Sequence, residues 1–141
     1  MDYRISKEYV WAGAIPDETA ALATKLQALH EGGLNLEMIL ARRDWSGSGM
    51  LFVSPLRTVE EIEVAEKAGL AMSDSFMALR VEGPNESGLG AKMTSALAAA
   101  GLSLRGFSAM AWGDESVTTI AFDSREDVER GKEILEQTLA S

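Results

Sequence analysis

Pro16 and Pro84, Asp17 and Asn85, Glu18 and Glu86, and Thr19 and Ser87 stand at one common offset along the chain, sixty-eight positions. The same offset joins Ala23 to Ala91, Ala28 to Ala96, Leu29 to Leu97, Gly33 to Gly101, Leu34 to Leu102 and Leu36 to Leu104. An offset kept without insertion over that stretch marks a tandem duplication, which limits the fold to two copies of one supersecondary unit. The 141 residues divide accordingly into a first unit over 1–73 and a second over 74–141. Each is of the size at which a small domain can still bury a core of its own.

Each copy reads as strand, helix, strand, strand, helix, with a short closing strand. Behind a polar lead, Tyr9, Trp11 and Gly13 alternate against Val10, Ala12 and Ala14, the period of two of a strand. Pro16 and Asp17 end it. Proline has no N–H for a ladder, and an Asp or Thr oxygen accepts from the free N–H groups of a new helix, here expected from about Glu18. Leu22, Leu26 and Leu29 form its apolar stripe, and Gly32 and Gly33 stop it. Leu34 to Arg43 alternates again, Trp45 to Gly49 is a glycine-rich turn, and Met50 to Val53 is the returning strand. A second helix over Thr58 to Ala68 turns Val59, Ile62 and Ala65 inward, and Leu70 to Met72 reads as an edge strand.

The second copy replays the order. Met77, Leu79 and Val81 form a strand row, Leu89, Met93, Leu97 and Ala100 a helix stripe, and Leu102 to Trp112 a long strand. Gly113-Asp114-Glu115 turns the chain into Val117 to Phe122. Ser124 or Asp123 caps a last helix, to about Leu139, that buries Val128, Gly131 and Leu135. With right-handed crossovers this predicts an α+β fold of two ferredoxin-like βαββαβ units, with antiparallel sheets and both helices on one face.

Charge and composition narrow the function. A formal net charge of −9 argues against nucleic acid, whose phosphates need clustered Lys and Arg. The chain has no cysteine, hence no disulfide, thiol nucleophile or cysteine metal site, and a single histidine, His30. No apolar run of about 18 residues offers a membrane span, and the start lacks the order of a signal peptide, so a cytoplasmic protein is expected. His30, at a helix end, reads as a capping residue, and the glutamates of the 58–68 helix as a solvated face. Arg42-Arg43 is too brief for a basic patch, and Ser46 to Gly49 lacks the Lys of a phosphate loop. Trp45 and Trp112, both beside the hairpin turns, read as packing or interface residues. No nucleophile, base and orienting acid can be assembled, so no catalytic residue, metal or cofactor is expected.

The stretch Gly83-Pro84-Asn85-Glu86-Ser87-Gly88-Leu89, followed by Ala100-Gly101-Leu102-Ser103-Leu104, resembles the opening half of an ACT domain. Leu29-His30-Glu31-Gly32-Gly33-Leu34-Asn35-Leu36 is similar to the matching segment of aspartate kinase regulatory regions, and the layout resembles the stand-alone tandem ACT proteins of bacteria. The resemblance implies a regulatory module that binds an amino acid or similar small ligand where two ACT domains meet, works as a homodimer, and acts on a regulated enzyme.

On the residues, a turn entering a helix leaves N–H groups unpaired at the positive end of the helix dipole, which suits a carboxylate. The expected ligand site is therefore Asn85, Glu86, Ser87, Gly88 and Leu89. Ser103 and Asn35 join it, at the position where the family often carries an Asn. In the first copy Ala20 replaces the turn glycine, so that turn is expected to be scaffold. The same residues would also serve the bend alone, which keeps open a protein-interaction module with a vestigial site. A small enzyme or enzyme subunit on the same plait is the third reading.

Overall fold

A computed structural model describes residues 2–43 and 46–140, and for 73–76 the backbone. The elements run β1 (Arg4–Ile15), α1 (Ala21–Glu31), β2 (Met38–Arg43), β3 (Gly49–Ser54), α2 (Val59–Lys67), β4 (Ala71–Pro84), α3 (Leu89–Ala99), β5 (Leu104–Trp112), β6 (Glu115–Phe122) and α4 (Arg125–Thr138). The fold is α+β, two ferredoxin-like units with antiparallel sheets, as the repeat predicts. One unit comprises Tyr9–Ser73; the other joins the residues up to Glu8 to those from Asp74 onward.

In the unit of Tyr9–Ser73 the strands lie in the order β2-β3-β1. β3 pairs with β1 from Trp11↔Val53 to Ile15↔Gly49, and with β2 from Met38↔Ser54 to Arg43↔Gly49. Its core gathers Trp11, Leu29, Leu34, Leu51, Val53, Ala65 and Leu70, with Leu22, Leu26 and Ile62 packed against it.

The other unit has the order β1-β4-β6-β5. The stretch expected to be a polar lead is strand: Arg4 to Glu8 supply the closing strand of this unit. Ile5 is buried within it, and Tyr3 just ahead of it. Two apolar side chains among charged neighbours are too few to read as a periodic strand. The core holds both, with Met77, Leu79, Val81, Leu89, Met93, Leu97, Ile120, Phe122, Val128 and Leu135.

Several boundaries differ from the pattern. β2 and β5 begin at Met38 and Leu104, not at Leu34 and Leu102, because Leu34 and Leu102 drop into the cores as the chain leaves each helix. Leu70 to Met72 is no separate strand, since β4 runs unbroken from Ala71 to Pro84. Val59 is 67 % exposed, so α2 buries only Ala65 fully. Trp45 lies outside the described residues. Among the described residues, no helix is long and apolar enough to cross a membrane.

Candidate functional site

The geometry of the site begins at two backbone positions. Gly88, at the N-terminus of α3, takes φ +81° and ψ 6°, and Ala20, at the N-terminus of α1, takes φ +73° and ψ 1°. Neither helix has a side-chain cap, so the expected Asp or Thr cap near Glu18 is absent and α1 starts at Ala21. A left-handed residue turns the chain abruptly into the helix, which leaves no extended residue ahead of it to reach the free N–H groups.

The hydrogen bonds repeat with the sequence. Leu89 N–H donates to Glu86 O at 3.2 Å and Lys92 N–H to Gly88 O at 2.9 Å. In the first copy Ala21 N–H donates to Glu18 O at 3.2 Å and Thr24 N–H to Ala20 O at 2.9 Å. The Ala20 substitution therefore leaves the backbone of the turn as it is in the second copy. Lys92 closes the first full helical turn of α3, so the N–H groups of Gly90 and Ala91 stand among the four that a helix start leaves without an intrahelical acceptor.

Asn85, Glu86, Ser87 and Gly88 are all exposed, and a Cβ built on Gly88 meets nothing within 4 Å. Leu89 differs: its side chain is buried in the core, and only its backbone belongs to the turn. Ser103 is exposed but follows the C-terminus of α3, and eleven residues of helix put about 16 Å between it and the turn. Asn35 is exposed in the corresponding place after α1, where its carbonyl accepts from Arg57 at 3.4 Å.

The entrance to the second turn is held by Tyr3, Ser116 and Asp114, none of them among the expected site residues. Tyr3 Oη donates to Pro84 O at 2.9 Å, Ser116 Oγ donates to Gly83 O at 3.1 Å, and Asn85 N–H donates to Asp114 O at 2.7 Å. Burial, and then the Glu86 carboxylate, raise the Tyr3 phenol above its ordinary 10.0, so it remains a donor. The available signal was Gly83, since a glycine inside a strand marks a close approach.

The first turn lines an open cleft of about 460 Å³ with the tip of the β2–β3 hairpin. Ile15 to Ala20 form one wall, and Arg42, Arg43, Gly47 and Gly49 another. Arg43 faces Asp17 at 3.9 Å, an exposed pair of little energetic weight. The arginine pair too short for a basic patch thus borders a concave surface.

No protein-family model matches the sequence, and no curated protein matches it. Solved structures do. The ligand-free regulatory subunit of aspartate kinase from Thermus thermophilus superposes with a TM-score of 0.68 at 18 % identity, over 99 % of this chain and 97 % of that one. The fold is that of a tandem ACT pair. The aspartate kinase regulatory subunit from Thermus flavus gives a TM-score of 0.63 at 20 % identity over 98 % and 97 % of the two chains. A protein from Bacteroides thetaiotaomicron gives 0.76 at 14 % identity, over 97 % and 90 %. These likenesses span both ACT units.

Proposed function

We propose that this tandem ACT chain is a regulatory protein that binds an amino acid, carries no catalytic machinery, and acts as a homodimer on a separate enzyme. The observation that carries the reading is the α3 turn: four consecutive exposed residues, a left-handed glycine with open space beside it, and helix N–H groups beyond. Those N–H groups take the ligand carboxylate, Glu86 answers its ammonium, and Asn85 and Ser87 supply polar contacts. The length of a helix separates Ser103 from its own turn, so the proposed site is carried by Asn85 to Leu89. Support also comes from the names of the two Thermus proteins, both regulatory subunits.

The homodimer rests on a second observation. β5 is an edge strand exposed along nearly its whole length, with Phe107, Met110 and Trp112 at 39, 67 and 57 %. An edge with unpaired N–H and C=O groups and apolar side chains is a surface for adding another strand. That edge also favours the second reading, a protein-interaction module whose turn binds nothing.

A thermal-shift screen of the twenty amino acids separates the two. A ligand at a hundred times its dissociation constant stabilises the fold by about 2.7 kcal/mol, and a flat response to all twenty removes the sensing role. Gly88→Val should abolish the shift. Because a β-branched residue at φ +81° is strained, the variant's own unfolding midpoint is measured alongside. A shift that survives puts the ligand elsewhere, with the first-copy cleft the next candidate.

A further inference from the structure

We propose that Tyr3 is the positioning residue of the α3 turn, holding Gly83 and Pro84 in the arrangement from which Asn85 to Gly88 project. Its ring lies directly on the strand that enters the turn. A Cβ at Gly83 would sit 2.4 Å from Tyr3 Cδ1 and 2.9 Å from Asp2 O, so the approach exists only because residue 83 has no side chain. From there the hydroxyl donates to Pro84 O at 2.9 Å, the last carbonyl before the exposed residues. Ser116 also reaches that carbonyl, but at 3.4 Å, with its shorter bond at 3.1 Å going to Gly83 O. Tyr3 is therefore the principal donor at the point where the strand gives way to the turn.

The phenol is also within the field of the Glu86 carboxylate, and it stays protonated beside it. In the first copy Ile15 occupies the position corresponding to Gly83, so the backbone there carries a side chain where the second copy admits the Tyr3 ring. The two turns share a backbone and differ in what holds them.

The test uses the full chain with Tyr9→Phe as background, so that Tyr3 is the one phenol. Its ultraviolet titration should move to lower pH when Glu86→Gln is added, because a carboxylate that raises the phenol has been neutralised; an unmoved titration overturns the placement of the Tyr3 hydroxyl at this turn. Tyr3→Phe keeps the ring on Gly83 and removes only the hydroxyl. Amide exchange at Asn85 and Leu89 should then quicken about tenfold, while Leu51 and Val53 in the other unit keep their rates. Equal rates at Asn85 and Leu89 in both proteins overturn the positioning role. The consequence for binding rests on the proposed amino-acid site: with each of the twenty amino acids at millimolar concentration as probe, Tyr3→Phe should weaken several-fold whichever one stabilises the parent. A parent that responds to none defeats the ligand reading and leaves the titration and exchange results to decide on Tyr3.

Discussion

Ala20 holds φ +73°, a conformation that costs a side-chain-bearing residue about 1–2 kcal/mol and costs glycine far less. Among the described residues it is the one non-glycine position with positive φ. Ala20→Gly should therefore raise stability by about 1 kcal/mol, less whatever glycine's extra freedom in the unfolded chain gives back. Urea unfolding with an unchanged m-value checks this, and a lower midpoint would show that the alanine methyl makes packing contacts that outweigh its strain. That Ala20 and Gly88 share a backbone was not legible from residue types, because the glycine preference predicts that its loss changes the turn. The backbone keeps the same turn with either residue, and the local cost of the alanine is borne by the rest of the fold. Gly83 shows the opposite case: its lack of a side chain was visible in the sequence, and its reason, the ring of Tyr3, was not.

The four helices among the described residues start in two different ways. α1 and α3 begin on left-handed residues without a cap, whereas α2 and α4 begin on extended Thr58 and Ser124, whose hydroxyls accept from Glu61 N–H and Asp127 N–H at 3.1 Å each. Acidic residues follow in the first turns of both, Glu60 and Glu61, and Glu126 and Asp127, as the dipole favours. Thr58→Ala and Ser124→Ala should each cost about 1 kcal/mol in chemical denaturation. Thr19→Ala and Ser87→Ala, at positions that look like caps in the sequence, should cost little; a loss as large as that of Ser124→Ala would mean that those hydroxyls do cap. The Ser124 cap and the buried row Val128, Gly131 and Leu135 were readable, because the apolar spacing of α4 is strong. The exposure of Val59 was not, since α2 presents only a narrow stripe to its core and the first-turn valine lies beyond it. The edge strands were legible as strands but not as edges: alternation along β5 looks the same whether or not a neighbour lies beyond.

Over the whole molecule, two strands carry the chain from one unit into the other, β1 between Glu8 and Tyr9 and β4 between Ser73 and Asp74. Residues up to Glu8 belong with those from Asp74 onward, and Tyr9 to Ser73 form the other unit. Removing residues 2–8 takes Tyr3 and Ile5 from the second core, each worth about 1.5–3 kcal/mol of burial, and strips the strand beside β4. The truncated chain should lose native amide dispersion from 77–139; retention of it would mean that the core closes without that strand. At the level of assembly, Met110→Lys places a charge on the exposed β5 edge and should shift the proposed homodimer toward monomer in sedimentation, with the monomer fold intact. An unaltered dimer would assign the contact to another surface, and a parent that is already monomeric would remove the homodimer from the proposed function. The repeat, the order of elements, the antiparallel units and the helix stripes were determined by the sequence alone, because each rests on periodicity and on residues spaced within reach of one another. Tertiary structure alone decided that Arg4 to Glu8 close the unit far from them in the chain, that Ala20 mimics Gly88, and that Tyr3 stands under the Val81 to Leu89 turn. Those are contacts across long sequence separations, set by the packing of a finished core, and no local pattern encodes them.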